Sequence, residues 1–252
     1  MTDAELAAQL ADTAGRLLRT VRDSMMLGRA TLGGAGDAVA NQFLVRALRE
    51  QRPADAVLSE EECDDQARLS HERVWIVDPV DGTREYGECR ADWAVHVGLA
   101  IGGVPVTGAV ALPDARGGIV LRSDTPVPLP PAPATLRMVV SRTRPAPEAV
   151  AVATAIGAEL VPMGSAGAKA MSIILGDADI YLHSGGQYEW DSCAPAAVAL
   201  AHGLHASRID GSPLVYNQAD TYMPDLLICR HDHVALVRDA LAAQAKSPSS
   251  SA

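Results

Sequence analysis

Five prolines stand within the eight residues 126–133, and this run constrains the fold more than any other feature of the sequence. Proline fixes its own φ and lacks a backbone N–H, so the run excludes a helix and a central strand and favours a stiff, extended connector. We therefore predict an N-terminal lobe at 1–125 and a C-terminal lobe at 136–245, joined by a connector at 126–135. The serine-rich tail at 246–252 is predicted to be disordered.

The lobe before the connector begins with two predicted helices. Apolar residues recur at three- and four-residue steps from Leu6 to Met25, which predicts a long amphipathic helix. Asp37 is the expected N-cap of a second helix that Pro53 ends, and the glycine-rich residues 33–36 are expected to join the two helices. The pattern then changes to short β-type runs at 57–58, 74–77, 93–101, 104–112 and 119–121.

The lobe after the connector alternates between strand and helix patterns. Strands are predicted at 136–140, 160–161, 179–182, 204–207 and 226–229, and helices at 148–158, 166–175, 191–202 and 234–243. Alternation of this kind predicts helices that pack on the faces of a sheet.

Composition and charge exclude several classes of protein. The chain has 21 Lys and Arg against 31 Asp and Glu, a net charge of −10 that disfavours binding to nucleic acid or to an anionic membrane. Its four cysteines form no C-x-x-C pair, and the acidic N-terminus lacks a signal-type apolar segment, so a cytoplasmic location is predicted. The uncharged stretch 93–112 is long enough to span a membrane, but Gly102 and Gly103 between two β-type runs predict a hairpin there.

The motif D-P-V-D-G-T, which begins at Asp78, directly follows an apolar strand pattern. Asp78, Asp81 and the carbonyl of Val80 could supply three oxygen ligands to a hard cation such as Mg²⁺ from one turn. Gly82 lacks the Cβ that would block a phosphate, and Thr83 adds a hydroxyl. Taken alone, the same residues equally indicate a surface turn. The preceding strand and the D-G-T extension favour the metal site.

Two further carboxylates stand at the ends of predicted elements. Glu60 is the first of three glutamates that follow a β-type run, and Asp191 begins an apolar helix pattern within the motif W-D-S-C-A-P. Taken alone, a run of glutamates more often indicates a solvated loop, and Asp191 more often indicates a simple helix N-cap.

The motifs D-P-V-D-G-T and W-D-S-C-A-P, in this order and at this separation, resemble the two signatures of the Mg²⁺-dependent, lithium-sensitive phosphatase superfamily. That superfamily includes inositol monophosphatases, fructose-1,6-bisphosphatases and 3′(2′),5′-bisphosphate nucleotidases. The resemblance covers nearly the whole chain and implies an α+β fold, a layered α-β-α-β-α sandwich of the sugar-phosphatase type. It implies that Thr83 helps to orient the attacking water and that Glu60 and Asp37 are also catalytic. The implied metal ligands are Glu60, Asp78, Val80, Asp81, Asp191 and Asp37.

The charge of this ligand set predicts its cofactor. Five carboxylates that lie close together repel each other strongly at a low effective dielectric, so the cluster requires divalent cations. The resemblance implies two or three Mg²⁺, for which Mn²⁺ can substitute. Such ions can activate a water, hold phosphate oxygens and stabilise the leaving alkoxide.

Three local sequences resemble the bisphosphate nucleotidase, or CysQ-like, branch of the superfamily. They are R-E-Y at 84–86, A-G-A-K at 166–169 and W-D-S-C-A-P at 190–195, whereas inositol monophosphatases usually have T-N-F at the first place. Ser184 stands seven residues before Asp191, where inositol phosphatases tend to carry a sugar-binding acid. The resemblance therefore implies hydrolysis of 3′-phosphoadenosine 5′-phosphate, and of its sulfated form, in sulfur assimilation.

A second phosphate requires cations outside the metal cluster. Lys169, Arg142 and Arg144 are the candidates, although a solvated surface position is an equally good interpretation of each. His183 is expected to line a base pocket, and His96, on an alternating strand, is expected only to pack in the core. The expected substrate-binding residues are Gly82, Thr83, Arg84, Ser165, Lys169, Arg142, Arg144, His183 and Asp191.

Two other functions stay open at this point. One is an inositol monophosphatase or fructose-1,6-bisphosphatase of broad specificity that uses the same metals, and the other is a non-catalytic protein-interaction member of the superfamily. The full set of carboxylates favours catalysis, since a binding protein has no need of metal ligands. The expected partner is a small phosphorylated metabolite, and a homodimer is left open.

Overall fold

Two five-stranded sheets and the helices around them form the structure, a computed structural model that describes residues 1–246. The first half contains α1 (Asp3–Asp23), α2 (Arg29–Gln51), β1 (Ala56–Ser59), β2 (Arg73–Asp81), α3 (Thr83–Gly87), β3 (Ala94–Ile101), β4 (Val104–Leu112) and β5 (Ile119–Arg122). The second half contains β6 (Arg137–Ser141), α4 (Pro147–Ile156), β7 (Glu159–Met163), α5 (Ala166–Leu175), β8 (Ile180–Tyr188), α6 (Glu189–Ala201), β9 (His205–Ser207), β10 (Tyr222–Cys229) and α7 (Val234–Lys246). Short 3₁₀ helices lie at Ala67–Ser70 and His231–His233.

Each sheet mixes parallel and antiparallel pairs. The first sheet has the order β1-β2-β3-β4-β5, in which β1 and β2 are parallel and the other neighbours are antiparallel. The second has the order β7-β6-β8-β10-β9, in which β6 is parallel to both of its neighbours. Parallel neighbours end at the same edge of a sheet, which brings residues after β1 and β2 together.

The strands alternate between two cores, and this alternation produces five layers. On β2, Trp75 and Val77 pack with α1 and α2, whereas Val74 and Ile76 face the core that contains α5 and α6. The second sheet covers the other side of α5 and α6, and its outer face packs on α4 and α7, for example at Val237. The order of layers is therefore α-β-α-β-α, and the predicted α+β sandwich is confirmed.

The predicted glycine-rich linker was wrong, because residues 33–36 lie inside α2. The helix starts at Arg29, so Asp37 is an internal helical residue and not an N-cap. Close packing on α3 explains two of the glycines: a Cβ on Gly33 would lie 2.8 Å from a methyl of Thr83, and a Cβ on Gly36 would lie 2.6 Å from the ring of Tyr86. The sequence analysis did not predict α3.

The stretch 93–112 forms the predicted hairpin, with Gly102 and Gly103 at the turn in left-handed conformations, φ 57° and 81°. Among the described residues, none of the helices combines the length and the apolar character needed to cross a membrane. Residues 126–135 adopt neither helix nor strand, and the lobe boundaries assigned to them remain a prediction. The predicted tail falls outside the described residues except for Lys246, which ends α7.

Candidate active site

Carboxylates from three segments meet at one edge of the first sheet. The parallel pairing of β1 and β2 places Glu60 and Asp78 at the carboxyl ends of adjacent strands. Asp81 follows a break in the pairing of β2 with β3, and Asp191 is the third residue of α6. Carboxylate oxygens of Asp78, Asp81 and Asp191 lie within 4.8 Å of one another. Asp191 also accepts the Tyr188 N–H at 2.7 Å, but Tyr188 is the N-cap of α6, so the interpretation of Asp191 as a simple N-cap was wrong.

Among the described residues, the Asp78 side of the cluster has no positively charged partner. Asp78 is 2 % exposed, and its Oδ1 has no hydrogen-bond partner among the described residues. Burial, and then the charge of Glu60, raises the pKa of Asp78 well above its ordinary value. Glu60 is exposed as a residue, but desolvation of its carboxyl group and the charge of Asp191 raise its pKa to about 7. An unpaired buried carboxylate oxygen beside other carboxylates fits a bound divalent cation.

The Asp81 side is different, because protein donors surround this carboxylate. It accepts hydrogen bonds from the Ser165 hydroxyl at 2.5 Å and from the N–H groups of Ala166 and Gly167 at 3.0 and 2.6 Å. Nε2 of His96 lies 3.0 Å from Asp81 Oδ2. Burial alone would raise the pKa of Asp81, but His96, Lys169 and Ser165 together outweigh it and the pKa is lowered to about 2. The first N–H groups of α5 therefore bind Asp81.

The contact to His96 differs from the prediction that this residue only packs. The ring is completely buried, as expected, but it also neighbours a metal-ligand candidate. Burial lowers the pKa of His96, and the Asp81 carboxylate reverses the effect, so that the pKa is raised overall. No local pattern on β3 distinguishes a packing histidine from one that contacts a carboxylate.

Asp37 and Thr83 lie together beside the cluster. The Thr83 hydroxyl is 3.3 Å from Asp37 Oδ1 and 3.1 Å from the carbonyl of Val80, so it can donate to either. Burial, and then the charge of Glu61, raises the pKa of Asp37 to about 7. The two residues come from α2 and α3, and the close packing of those helices sets their distance.

A cleft of about 480 Å³ opens next to Asp81 and Asp191. Gly82 lines it with a left-handed backbone, φ 87°. The cleft brings together most of the predicted substrate-binding residues: Gly82, Thr83, Arg84, Ser165, Lys169, Arg144, His183 and Asp191.

Arg142 does not line this cleft, in contrast to the prediction. Its guanidinium donates to Glu85 at 2.6 Å and to Glu88 at 3.0 Å, so its charge is already paired. Arg84 and Arg144 are exposed at the cleft, and neither side chain has an ionic partner among the described residues. These two arginines are the cations that remain available to a ligand.

Lys169 is not a solvated surface lysine, since it is only 4 % exposed. Its Nζ donates to the carbonyls of Gly164 and Ser165, the turn that begins α5, and lies 5.4 Å from the centre of the Tyr181 ring. Burial lowers the pKa of Lys169, and Asp81 opposes this effect. The ammonium group is thus a buried cation that supports the wall of the cleft.

His183 lies on β8 at the same cleft. Its Nε2 donates to the Gly185 carbonyl at 2.8 Å. Burial, and then the charge of Lys169, lowers the pKa of His183 to about 4. A neutral ring at this position is compatible with the predicted contact to a base.

A buried network that the sequence did not predict links the loop after Glu60 to the start of α6. Arg68 pairs with Asp64 at 2.7 Å and donates to Asn217 Oδ1 at 2.8 Å. The N–H of Asn217 donates in turn to the buried Glu189, two residues before Asp191, at 2.7 Å. Arg68 and Asn217 are 149 residues apart in the chain, and no local pattern indicates their contact.

The family model described as the inositol monophosphatase family matches residues 3–125 and 129–244 of this chain. A 3′-phosphoadenosine 5′-phosphate phosphatase from Mycobacterium leprae is 52% identical over 246 residues, which cover 92% of this chain and 90% of that protein. The 3′(2′),5′-bisphosphate nucleotidase CysQ from Escherichia coli is 28% identical over 208 residues, 75% of this chain and 81% of that protein. The crystal structure of CysQ from Bacteroides thetaiotaomicron matches with a TM-score of 0.77 at 26% identity, covering 90% of this chain and 97% of that one.

A five-layered α+β fold with a buried carboxylate cluster at a sheet edge defines the class, and the chain belongs to the inositol monophosphatase family. Within that family, the relatives and the solved structure fit the predicted CysQ-like branch.

Proposed function

We propose that this protein is a phosphomonoesterase that hydrolyses 3′-phosphoadenosine 5′-phosphate to AMP and phosphate. The observation that carries the proposal is the cluster of Asp78, Asp81 and Asp191, whose carboxylate oxygens converge within 4.8 Å beside the cleft. The name of the relative that is 52% identical over most of both chains supports this substrate.

Magnesium is the cofactor that best fits the donor set. All the candidate ligands are oxygens, which hard cations prefer, and the unpaired Oδ1 of Asp78 leaves one buried position without a donor. Two or three ions, with Mn²⁺ able to substitute, would be held by Glu60, Asp78, the Val80 carbonyl, Asp81, Asp191 and Asp37. When bound, such ions neutralise phosphate charge and lower the pKa of a coordinated water.

The chain's own residues would orient the attacking water. The Thr83 hydroxyl can donate to Asp37 and accept from a water at the same time, so it fixes the direction of the water's lone pair. Asp37 is held inside a rigid helix and restricts the rotation of that hydroxyl. Glu60, whose carboxyl group neighbours that of Asp78, would complete the catalytic group.

The rest of the cleft would recognise the second phosphate and the base. Arg84 and Arg144 carry unpaired positive charge there, and a charge-assisted contact to phosphate is worth about 1.5–3 kcal/mol. Ser165, Lys169 and His183 line the same cleft. A cytoplasmic location, a homodimer and activity on the sulfated nucleotide remain predictions.

Phosphate release from 3′-phosphoadenosine 5′-phosphate, inositol 1-phosphate and fructose 1,6-bisphosphate, each with Mg²⁺ and with excess EDTA, tests the proposal. We expect the first substrate to have the highest kcat/KM, with turnover lost in EDTA and inhibited by Li⁺. Full activity in EDTA contradicts the metal site, and a higher kcat/KM for inositol 1-phosphate contradicts the substrate.

A matched pair of arginine variants tests the second-phosphate contact. Arg144→Gln should raise KM for 3′-phosphoadenosine 5′-phosphate about 10-fold, the equivalent of about 1.4 kcal/mol, and leave inositol 1-phosphate unchanged. Arg142→Gln is the control, since Arg142 does not line the cleft and its charge is paired with Glu85 and Glu88. The same KM change in both variants would remove Arg144 from this role.

A further inference from the structure

His96 is a buried side chain that the proposed chemistry does not use, and its ring contacts two segments that carry metal-ligand candidates. Nδ1 lies 3.0 Å from the carbonyl of Trp190, the residue immediately before Asp191. Nε2 lies 3.0 Å from Asp81 Oδ2, although this approach falls outside hydrogen-bond geometry. Because a carbonyl can only accept, Nδ1 carries the proton towards Trp190.

A third segment encloses the same ring. A Cβ built on Gly167 would lie 2.0 Å from Nε2 of His96, so the first turn of α5 packs directly on the imidazole. The N–H of Gly167 donates to the same Asp81 oxygen that Nε2 faces. Asp81 is thus held between the ring and the start of α5, and rotation of its carboxylate is restricted.

From this arrangement we infer that His96 is a positioning residue that sets the affinity of the carboxylate cluster for its divalent cation. The ring holds Asp81 at the end of β2 and, through Trp190, holds the start of α6, where Asp191 lies. Groups that orient metal ligands typically account for about a 10- to 100-fold difference in metal affinity. The inference rests on the proposed function in one respect, that Asp81 is a metal ligand.

Two substitutions of His96 test its contact to Asp81 and its contact to Trp190 separately. The side-chain amide of glutamine is as many bonds from Cα as Nε2 is, so His96→Gln can still reach Asp81. The amide of asparagine matches Nδ1, so His96→Asn can still donate to Trp190 but not reach Asp81. Both variants lose the packing of the ring, and comparable losses of thermal stability are expected in both.

The experiment measures Mn²⁺ binding to the full chain by electron paramagnetic resonance of the free ion. We expect His96→Asn to bind Mn²⁺ about 10- to 100-fold more weakly than the unsubstituted protein, and His96→Gln to stay within about 3-fold of it. In excess Mg²⁺, kcat of His96→Asn should return towards that of the unsubstituted protein, while the Mg²⁺ concentration for half-maximal activity rises by the same factor. Equal Mn²⁺ affinities in the two variants, whether strong or weak, would overturn the inference.

Asp81→Asn distinguishes this failure from failure of the proposed function. If the unsubstituted protein binds Mn²⁺ and Asp81→Asn loses binding, the metal site stands and only the role of His96 is in question. If Asp81→Asn binds Mn²⁺ as strongly as the unsubstituted protein, Asp81 is not a ligand, and both the proposed metal site and the inference are overturned.

Discussion

Asp78 and Asp81 stand three positions apart in one motif, and both are buried. Their surroundings shift the two pKa values in opposite directions. Asp78 has an oxygen without a hydrogen-bond partner and has Glu60 beside it, and its pKa is raised by burial and then by Glu60. Asp81 has three hydrogen-bond donors and the nearby ring of His96, which overcome burial and lower its pKa to about 2.

The difference shows that burial alone does not determine the charge of a carboxylate. On the Asp81 side, α5 and His96 supply the stabilisation within the folded chain. On the Asp78 side, ionisation of both Asp78 and Glu60 requires a counter-charge from outside the chain, because like charges that lie close together disfavour each other's charged form. Protein donors therefore already stabilise the Asp81 carboxylate, whereas the Asp78 carboxylate requires a bound cation.

The largest expected effect comes from removing either charge. Asp78→Asn and Asp81→Asn should each lower kcat/KM about 1,000-fold or more, because metal stabilisation of transition-state charge is worth several kcal/mol. Their stabilities should change in opposite directions in metal-free protein at about pH 8. Asp78→Asn relieves repulsion and should raise Tm, whereas Asp81→Asn weakens charge-assisted hydrogen bonds and should lower it.

Phosphate release and thermal unfolding in EDTA measure these two effects. Asp177→Asn is the control, since Asp177 is a surface residue paired with Arg116. Changes of Tm with the same sign in the Asp78 and Asp81 variants would mean that the two sides of the cluster do not differ as described.

The pH dependence of the metal-free protein should show a smaller effect. The pKa values of Glu60 and Asp191 are raised to about 7 in the folded chain, above unfolded values of about 4. The folded state therefore binds more protons between these values, and Asp37, whose pKa is also raised to about 7, adds to the effect, so stability should rise as pH falls from about 8 to 5 and be lost as pH rises through 7. Asp81 contributes no slope in this window.

Urea unfolding in EDTA at several pH values measures this slope. With saturating Mg²⁺ the added stability should shrink as pH falls, because protons compete with the metal for the carboxylates. A metal-free protein that becomes less stable from about pH 8 to 5 would contradict the raised pKa values.

The smallest expected effect comes from one donor on the Asp81 side. Ser165→Ala removes a hydrogen bond to Asp81 and the N-cap of α5, in which Ser165 Oγ accepts from the Ala168 N–H at 2.8 Å. The expected loss is about 1–2 kcal/mol, or about 3–6 °C in Tm, with little change in metal affinity because two backbone donors to Asp81 remain.

Ser70→Ala, at an exposed serine whose hydroxyl contacts its near neighbours Ala67 and His71, is the matched control for a lost hydroxyl. A loss of metal affinity in Ser165→Ala as large as that expected for His96→Asn would show that the hydroxyl, and not the ring, orients Asp81.

Local sequence placed the candidate carboxylates at the ends of strand and helix patterns, but only the resemblance to the phosphatase superfamily identified them as candidate metal ligands. Glu60 and Asp78 each follow an apolar β-type run, and they meet because the two strands are parallel neighbours. The boundaries of α5 were also predicted correctly, since its apolar pattern and its capping residue Ser165 are local signals. Predictions from local sequence were wrong where close packing outweighs the low helix propensity of glycine, as at Gly33, which lies inside α2 against α3.

By itself, the sequence determined most of the order of strands and helices and the positions of the candidate acidic ligands along the chain, because periodicity and turn residues act over a few positions. Only the tertiary structure decided which charges are paired. Arg142 is neutralised by Glu85, 57 residues away, Lys169 is buried behind the α5 turn, and His96 faces Asp81. A hydrophobic pattern predicts which face of an element is buried, but it does not predict which polar group a side chain on that element contacts. That partner depends on how segments distant in the chain pack, and on how much solvent the packing removes.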